Sequence, residues 1–440
     1  MLIEFSVENF RSIKEEQKLS LIKDTPNEMP ENFFDPLAPT VPELLNSAVI
    51  YGANASGKSN VLKAIECMRF IIEESSNKKI NAKLPLEPFL FNSKTKLEPT
   101  TFNINFITDL PVDDENVLKP VRVEYGFSAD ENIIYEEWLS VYPKGREQSW
   151  FHRQYNEDTE SYEWSNESPF FKGQKNTWKK STRPDQLFLS TAVQLNSQQL
   201  KPIYTWFSEK LKIVDRDRID SQLSKKMCDH DEKLKKVIIS LLNQADIDVD
   251  DIEIEEKKFN IESLPKDLPE ILKKKIQEDM KERLDAYFIH SDELGNRVPI
   301  PLEEESDGTQ KIFEFSSLIF IALSDGSPLI IDELNKSLHP DLVRFLIKIF
   351  NSELNYKHAQ LIITTHETSA LRKDLLRRDQ IWFCEKQTDK SSRLYPLINF
   401  NPHKTREDIE ENYLSGRYGG KPILKNFVLT DELQKVIFED

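Results

Sequence analysis

At 440 residues the chain is longer than a single hydrophobic core usually grows, which predicts one large α/β domain carrying an insertion, or two domains. Its 76 Asp and Glu outnumber 59 Lys and Arg, and the formal net charge of −17 excludes a surface that grips nucleic acid on every face, because such binding displaces counterions with many cations. Apolar runs such as Ser316–Leu323 are too short to cross a bilayer, and MLIEFSVENF lacks the basic, apolar, small-residue order of a signal peptide, so a cytoplasmic protein is expected.

Residues Leu2–Phe10 alternate apolar and polar side chains, which predicts a half-buried strand, and Gln17–Ile22 reads as a second strand of the same small sheet. Proline-rich Lys23–Glu43 is a loop leading to Leu44–Tyr51, an apolar run that ends at Gly52-Ala53-Asn54-Ala55-Ser56-Gly57-Lys58-Ser59-Asn60. That segment fits G-x-x-x-x-G-K-[ST], and the following helix carries Val61, Leu62, Ile65 and Met68 on one face, giving the strand, loop, helix order of a P-loop. Each residue type is there for a physical reason. Gly57 admits close backbone approach to phosphate, Lys58 brings a cation to the β- and γ-phosphates of a nucleotide, and the Ser59 hydroxyl ligates Mg²⁺.

From Thr100 to about Trp164 period-2 alternation predicts antiparallel strands, and Gln186–Gln199 opens a helical stretch. From Ile203 to about Leu284 the pattern is mostly helical and highly charged. Lysines at Lys172–Lys180 and Lys235–Lys236 could form a local basic face, although charge runs of this kind are usually solvated. Glu255-Glu256-Lys257 holds an E-x-K fragment of the nuclease kind, read here as ordinary surface charge. Cys67, Cys228 and Cys384 show no C-x-x-C spacing and are expected to be buried thiols.

A second α/β text then begins, with a helix from about Gly308 to Leu323, strand Pro328–Ile331, helix Pro340–Phe350, and strands Gln360–Thr364 and Gln380–Cys384. Asp332 and Glu333 follow the first of these strands, where ligands bind in α/β sheets; Asp332 is expected to hold Mg²⁺ opposite Ser59, and Glu333 to polarise the attacking water. His366 follows the next strand, placed to donate a hydrogen bond to the γ-phosphate or that water. Ser306 is a natural N-cap and Gly308 permits close approach, so this helix start could receive an anion. The final segment holds Tyr413-Leu414-Ser415-Gly416-Arg417-Tyr418-Gly419-Gly420 and a short amphipathic helix ending at Phe438.

In their order, GANASGKSN, ESDGTQK, PLIIDELNKSLHP and TTHET resemble the Walker A, signature, Walker B with D-loop, and switch-histidine motifs of ABC-type ATPases. ENFRSIK and GKSNVLKAI resemble the soluble SMC, RecF and OLD-like branch, and the ending YLSGRYGG resembles small stand-alone prokaryotic ATPases of anti-phage defence, such as the PARIS-like and retron or Septu-like systems. The resemblance covers residues 1–92 and 301–400. It implies an ABC-type P-loop ATPase head, α/β with a mixed sheet, an antiparallel β subdomain and a mainly helical insertion. The boundaries expected are 1–200 for an N-terminal lobe, 201–295 for the insertion, 296–400 for a C-terminal lobe and 401–440 for a tail.

The same resemblance implies ATP and Mg²⁺ as cofactors and a head-to-tail dimer or higher homo-oligomer. Gly52, Asn54, Ala55, Ser56, Gly57, Lys58, Ser59 and Asn60 of one subunit would hold ATP, and Ser306 and Gly308 of the other would close on its γ-phosphate. Ser337 and His339 would lie in the D-loop at that interface, and Arg11 would reach the phosphates from the first strand. No Q-loop glutamine is evident, with Gln194 and the Phe89–Asn92 region the only candidates. Little chain follows His366, so no appended nuclease is expected, and the effector, a nuclease or toxin, would be a separate protein answering a phage-derived trigger. A RecF/SMC-like DNA clamp is the alternative, disfavoured by the acidic balance, and a membrane-transporter subunit is disfavoured because LSGGQ is absent.

Overall fold

A computed structural model describes residues 1–24, 28–80, 82–111, 117–165, 168–214, 220–256, 283–336, 338–403 and 407–422. Its strands are β1 (Leu2–Glu8), β2 (Gln17–Ser20), β3 (Phe33–Phe34), β4 (Leu44–Leu45), β5 (Ser47–Tyr51), β6 (Thr100–Pro111), β7 (Leu118–Ala129), β8 (Ile134–Tyr142), β9 (Gln148–Asn156) and β10 (Ser161–Ser165). The chain continues with β11 (Lys212–Val214), β12 (Asp251–Glu256), β13 (Leu284–Ser291), β14 (Arg297–Pro301), β15 (Pro328–Ile331), β16 (Gln360–Thr364), β17 (Ile381–Lys386) and β18 (Ser392–Pro396). The longer helices are α1 (Lys58–Glu74), α2 (Gln222–His230), α3 (Glu232–Gln244), α4 (Asp307–Asp325) and α5 (Pro340–Phe350).

Two sheets dominate. One runs β11-β15-β16-β5-β17-β18, parallel except for the last strand, and the other runs β10-β9-β8-β7-β6-β1-β2, antiparallel throughout. The parallel strands are buried on both faces, which is why they read as unbroken apolar runs. Alternate side chains divide between two cores. Ala48, Ile50, Ile330 and Ile362 join α1 and the antiparallel sheet, whereas Val49, Tyr51, Ile331 and Ile363 join α2 to α5. Helix α1 turns Val61, Leu62, Ile65, Met68 and Ile72 into the first core, as its apolar spacing predicts.

The structure refines two expectations about elements and one about a cysteine. The N-terminal pair β1–β2 is not a small separate sheet, because β1 also pairs with β6 and so extends the Thr100–Trp164 strands into one sheet. Among the described residues of 203–284, helices α2 and α3 agree with the mostly helical reading, and strands are added to it: β11 joins the edge of the parallel sheet, and β12 pairs with β13, which pairs with β14. Asp251-Ile252-Glu253-Ile254 already carries a strand's alternation, but the surrounding charge masks it, and burial of Ile252 in the second core decides the outcome. Cys67 is half-buried beside the Pro85 carbonyl, while Cys228 and Cys384 are buried. Lys257, Ser337 and the expected helix ending at Phe438 lie outside the described residues. None of the described helices is long and apolar enough to cross a membrane.

Candidate functional site

Strand register brings the predicted site residues together. In β15-β16-β5, Ile331 pairs with Ile363 and Thr364 with Ile50, so three adjacent parallel strands end at nearly the same level. Beyond those ends come Asp332-Glu333, Thr365-His366 and Gly52, at the carboxyl edge where α/β sheets bind ligands.

The loop from Gly52 to Gly57 wraps the start of α1. A Cβ on Gly57 (φ +105°) would stand 1.9 Å from Ser392 Oγ and 2.7 Å from Ser12 Oγ, and one on Gly52 would stand 2.3 Å from the Cys384 carbonyl oxygen. Only glycine fits either place. The Ser392 hydroxyl donates to the Ser56 carbonyl (2.6 Å) and hydrogen-bonds with Ser12 (2.7 Å), to which Asn60 Nδ2 also donates (2.7 Å). Buried Lys58 donates Nζ to the carbonyls of Gly52 (2.8 Å) and Ala53 (3.1 Å). Burial holds its ammonium below the usual range, against the pull of Cys384, Glu333 and Asp332. The Asn54 and Ala55 side chains at the loop crown are exposed.

Thr364 ties the acidic pair in place: its hydroxyl donates to Asp332 Oδ1 and accepts from the Glu333 N–H (2.7 Å). Glu333 sits in the left-handed region (φ 50°), a conformation that turns the chain sharply off β15. Asn335 Oδ1 then receives the Thr365 hydroxyl (3.0 Å) and the His366 N–H (3.1 Å), linking the segment after Glu333 to the histidine loop. His366 is exposed; desolvation first, then the Lys58 cation, hold its pKa below 6.5, while Glu333 and Asp332 oppose the shift.

Arg11 forms a 2.8 Å ion pair with Glu87, and its backbone N–H donates to the Glu87 carbonyl (2.7 Å). Gln194 donates to Asn77 beyond the far end of α1, a helix of 17 residues and thus about 25 Å long, which removes it as a Q-loop candidate. Phe89–Asn92 does run beside Asn9–Ser12, with the Phe89 N–H on Asn9 Oδ1. Ser306 caps α4 by accepting from the Thr309 N–H (3.1 Å), is exposed, and leads Gly308 into the first helical turn. His339 caps α5 in the same way and is exposed.

A family model described as "AAA domain, putative AbiEii toxin, Type IV TA system" matches residues 47–372, from the strand before the phosphate loop to just beyond His366. The chain belongs to this family. Among solved structures this AAA domain is similar to the SMC head domain from Thermotoga maritima, at TM-score 0.38 and 12% identity, covering 90% of this chain and 98% of that one. It is similar also to the Smc head domain with an extended coiled coil bound to the C-terminal domain of ScpA, derived from Pyrococcus furiosus, at TM-score 0.39 and 12% identity, covering 90% and 96% of the two chains. No curated protein matches the sequence.

The AAA domain carries the nucleotide-binding P-loop of an ATPase, and the residues of that loop fit bound phosphate. The buried Ser56 Oγ has no hydrogen-bond partner among the described residues, α1 begins without a side-chain cap, and the cradle at Gly57 excludes any Cβ. Sequence reading missed Ser12, Thr364, Asn335 and Ser392. Thr364 was within reach, since aligning the ends of three apolar runs places it beside Asp332; Ser392 is brought to Ser12 across 380 positions by the fold alone.

Proposed function

We propose that this AAA domain is an ATP-hydrolysing switch of a prokaryotic anti-phage defence system, in which ATP draws two copies together head to tail and governs a separate nuclease or toxin. The single observation that carries it is the convergence of the loop leading to Lys58 with Asp332, Glu333 and His366 beyond the ends of three adjacent strands. The toxin–antitoxin setting of the family supports the defence reading.

On this reading the N–H groups of the Gly52–Ser59 loop, with the Ser56 hydroxyl, bind phosphate oxygens, and Lys58 exchanges its two carbonyl partners for the β- and γ-phosphates. Ser59 and Asp332 would hold Mg²⁺, which supplies charge neutralisation between the β- and γ-oxygens. Glu333 orients water and takes its proton as the water oxygen bonds to the γ-phosphorus and the bond to the β–γ bridging oxygen breaks, leaving ADP and phosphate. Neutral His366 donates a hydrogen bond to the γ-phosphate. Exposed Ser306 and half-buried Gly308 on a second copy complete the site from outside.

Turnover and nucleotide affinity measured on two variants test the assignment. Lys58→Ala should lose ATP binding, whereas Glu333→Gln should bind ATP as tightly as the unaltered chain and lose about 10²–10⁴ in turnover. Equal loss of affinity in both would contradict the roles given to them.

A further inference from the structure

One sequence motif takes no part in the site described so far. YLSGRYGG, residues 413–420, begins in a short helix, α6 (Ile409–Leu414), and ends in two successive left-handed glycines, Gly419 (φ 68°) and Gly420 (φ 64°). Where it lies is informative. The Tyr413 ring stacks on Phe383 of β17 (5.3 Å, 13°) and meets Tyr51, the last residue of β5, at 6.1 Å. The Tyr418 ring also stacks on Phe383 (5.7 Å) and is fully buried. Tyr395 donates its hydroxyl to the Tyr418 carbonyl (2.9 Å), and Tyr413 donates to the Gly420 carbonyl (3.2 Å).

These contacts carry Gly420 against the opening of the phosphate loop. A Cβ built on Gly420 would be 3.8 Å from Gly52 Cα and 3.7 Å from the Cys384 carbonyl oxygen, the atom that already requires glycine at position 52. A Cβ on Gly419 would lie 2.5 Å from the Tyr395 hydroxyl. Close approach demands glycine at 419, and the left-handed backbone favours it at both positions.

The other end of the same element reaches a different motif. Glu410 on α6 accepts a hydrogen bond from the Thr368 hydroxyl (2.7 Å), two residues beyond His366, in the turn Thr368–Ala370. Between the two ends the element is stiffened by its own bonds: Asn412 donates to the Tyr418 hydroxyl (3.2 Å), which donates to Glu407 (3.1 Å), and Arg417 pairs with Glu407 (3.0 Å). The element thus touches the loop that holds phosphate and the loop that carries the histidine, without entering either.

We propose that Ile409–Gly420 is a positioning brace of the nucleotide site, setting the His366 loop through Glu410 and Thr368 and the entry of the phosphate loop through Tyr413 and Gly420. It rests on the reading of the site as an ATPase. Since His366 acts on the γ-phosphate and Gly52 on binding, the two ends of the brace should separate kinetically. A hydroxyl to carboxylate bond of the kind Thr368 makes is worth enough to misplace a catalytic loop when lost, and misplacement of a reacting group affects turnover more than binding.

The test uses the full chain with Thr368→Val and Glu410→Ala, singly and together, and Tyr413→Phe, measuring kcat, ATP affinity and melting temperature for each. Thr368→Val and Glu410→Ala should each lower kcat about tenfold with affinity held within about twofold, and the double variant should be no slower than either. Tyr413→Phe, which removes one hydroxyl, should weaken ATP binding about threefold with kcat nearly kept. If the unaltered chain turns over no more ATP than Lys58→Ala, the ATPase reading falls and the brace with it. If the unaltered chain is active and kcat is the same in folded Thr368→Val and Glu410→Ala, or their losses multiply in the double variant, the brace alone is overturned.

Discussion

His366 is held neutral by partial desolvation of its ring and by the Lys58 cation, and the sign of that shift decides what acid should do. An unfolded histidine takes its proton near 6.5, whereas this one resists until the pH is lower, so the stability linked to it is present above pH 6.5 and is lost as pH falls toward the folded value. Protonation also changes its hydrogen bonding, because both ring nitrogens then donate. The kcat profile of the unaltered chain should be level from about pH 7 to 8 and fall below the ordinary histidine range, and His366→Gln should be slower throughout and lack that inflection. An identical acid limb in His366→Gln would show that another group sets it. The Asp-Glu pair, the lysine and the histidine were all legible as residues, since each follows an apolar run. Thr364 and Asn335 were not singled out, because a threonine ending a strand and an asparagine in a turn are ordinary until register shows what they hold.

Elements carry the site because their ends are fixed by packing. Helix Pro340–Phe350 and strand Gln360–Thr364 stand at the limits that their apolar spacing predicts, and α4 begins at the Ser306 cap. Charge-rich β12 and the three-residue β11 escaped notice: the first is covered on one face only and the second is too short to show a period. The phosphate loop is the most constrained of these parts. Gly57→Ala places a methyl group against Ser392 and Ser12 in a left-handed backbone, so it should lower stability by about 1–3 kcal/mol in thermal or urea melts and weaken ATP binding besides. A variant as stable as the parent would mean that Ser392 and Ser12 yield easily. In the antiparallel sheet, Glu137 and Arg153 form a fully buried pair, and Glu137 also receives the Tyr125 hydroxyl and the N–H groups of Phe188 and Leu189. Glu137→Ala leaves a guanidinium buried without its partner and should cost about 3–5 kcal/mol in urea unfolding, far from the site. A loss below about 1 kcal/mol would show that water reaches Arg153.

At the scale of the whole molecule, two cores meet across the parallel sheet, and the phosphate loop, the acidic pair and the histidine stand on the edge where both end. This arrangement makes the site rigid from within and open outward. The helix tip at Ser306 is exposed and caps itself, and the proposed pairing gives it the phosphate of a second copy. The order of the four motifs implied head-to-tail pairing from the sequence, but pairing is a property of two chains and no single fold displays it. The most direct test is therefore the mass in solution of Glu333→Gln with and without Mg-ATP, beside the same chain carrying Ser306→Arg. The account predicts one chain without nucleotide, two with it, and one again in the doubly altered protein, which still binds ATP. A mass that does not respond to ATP, or a Ser306→Arg form that pairs as readily as its parent, would contradict it.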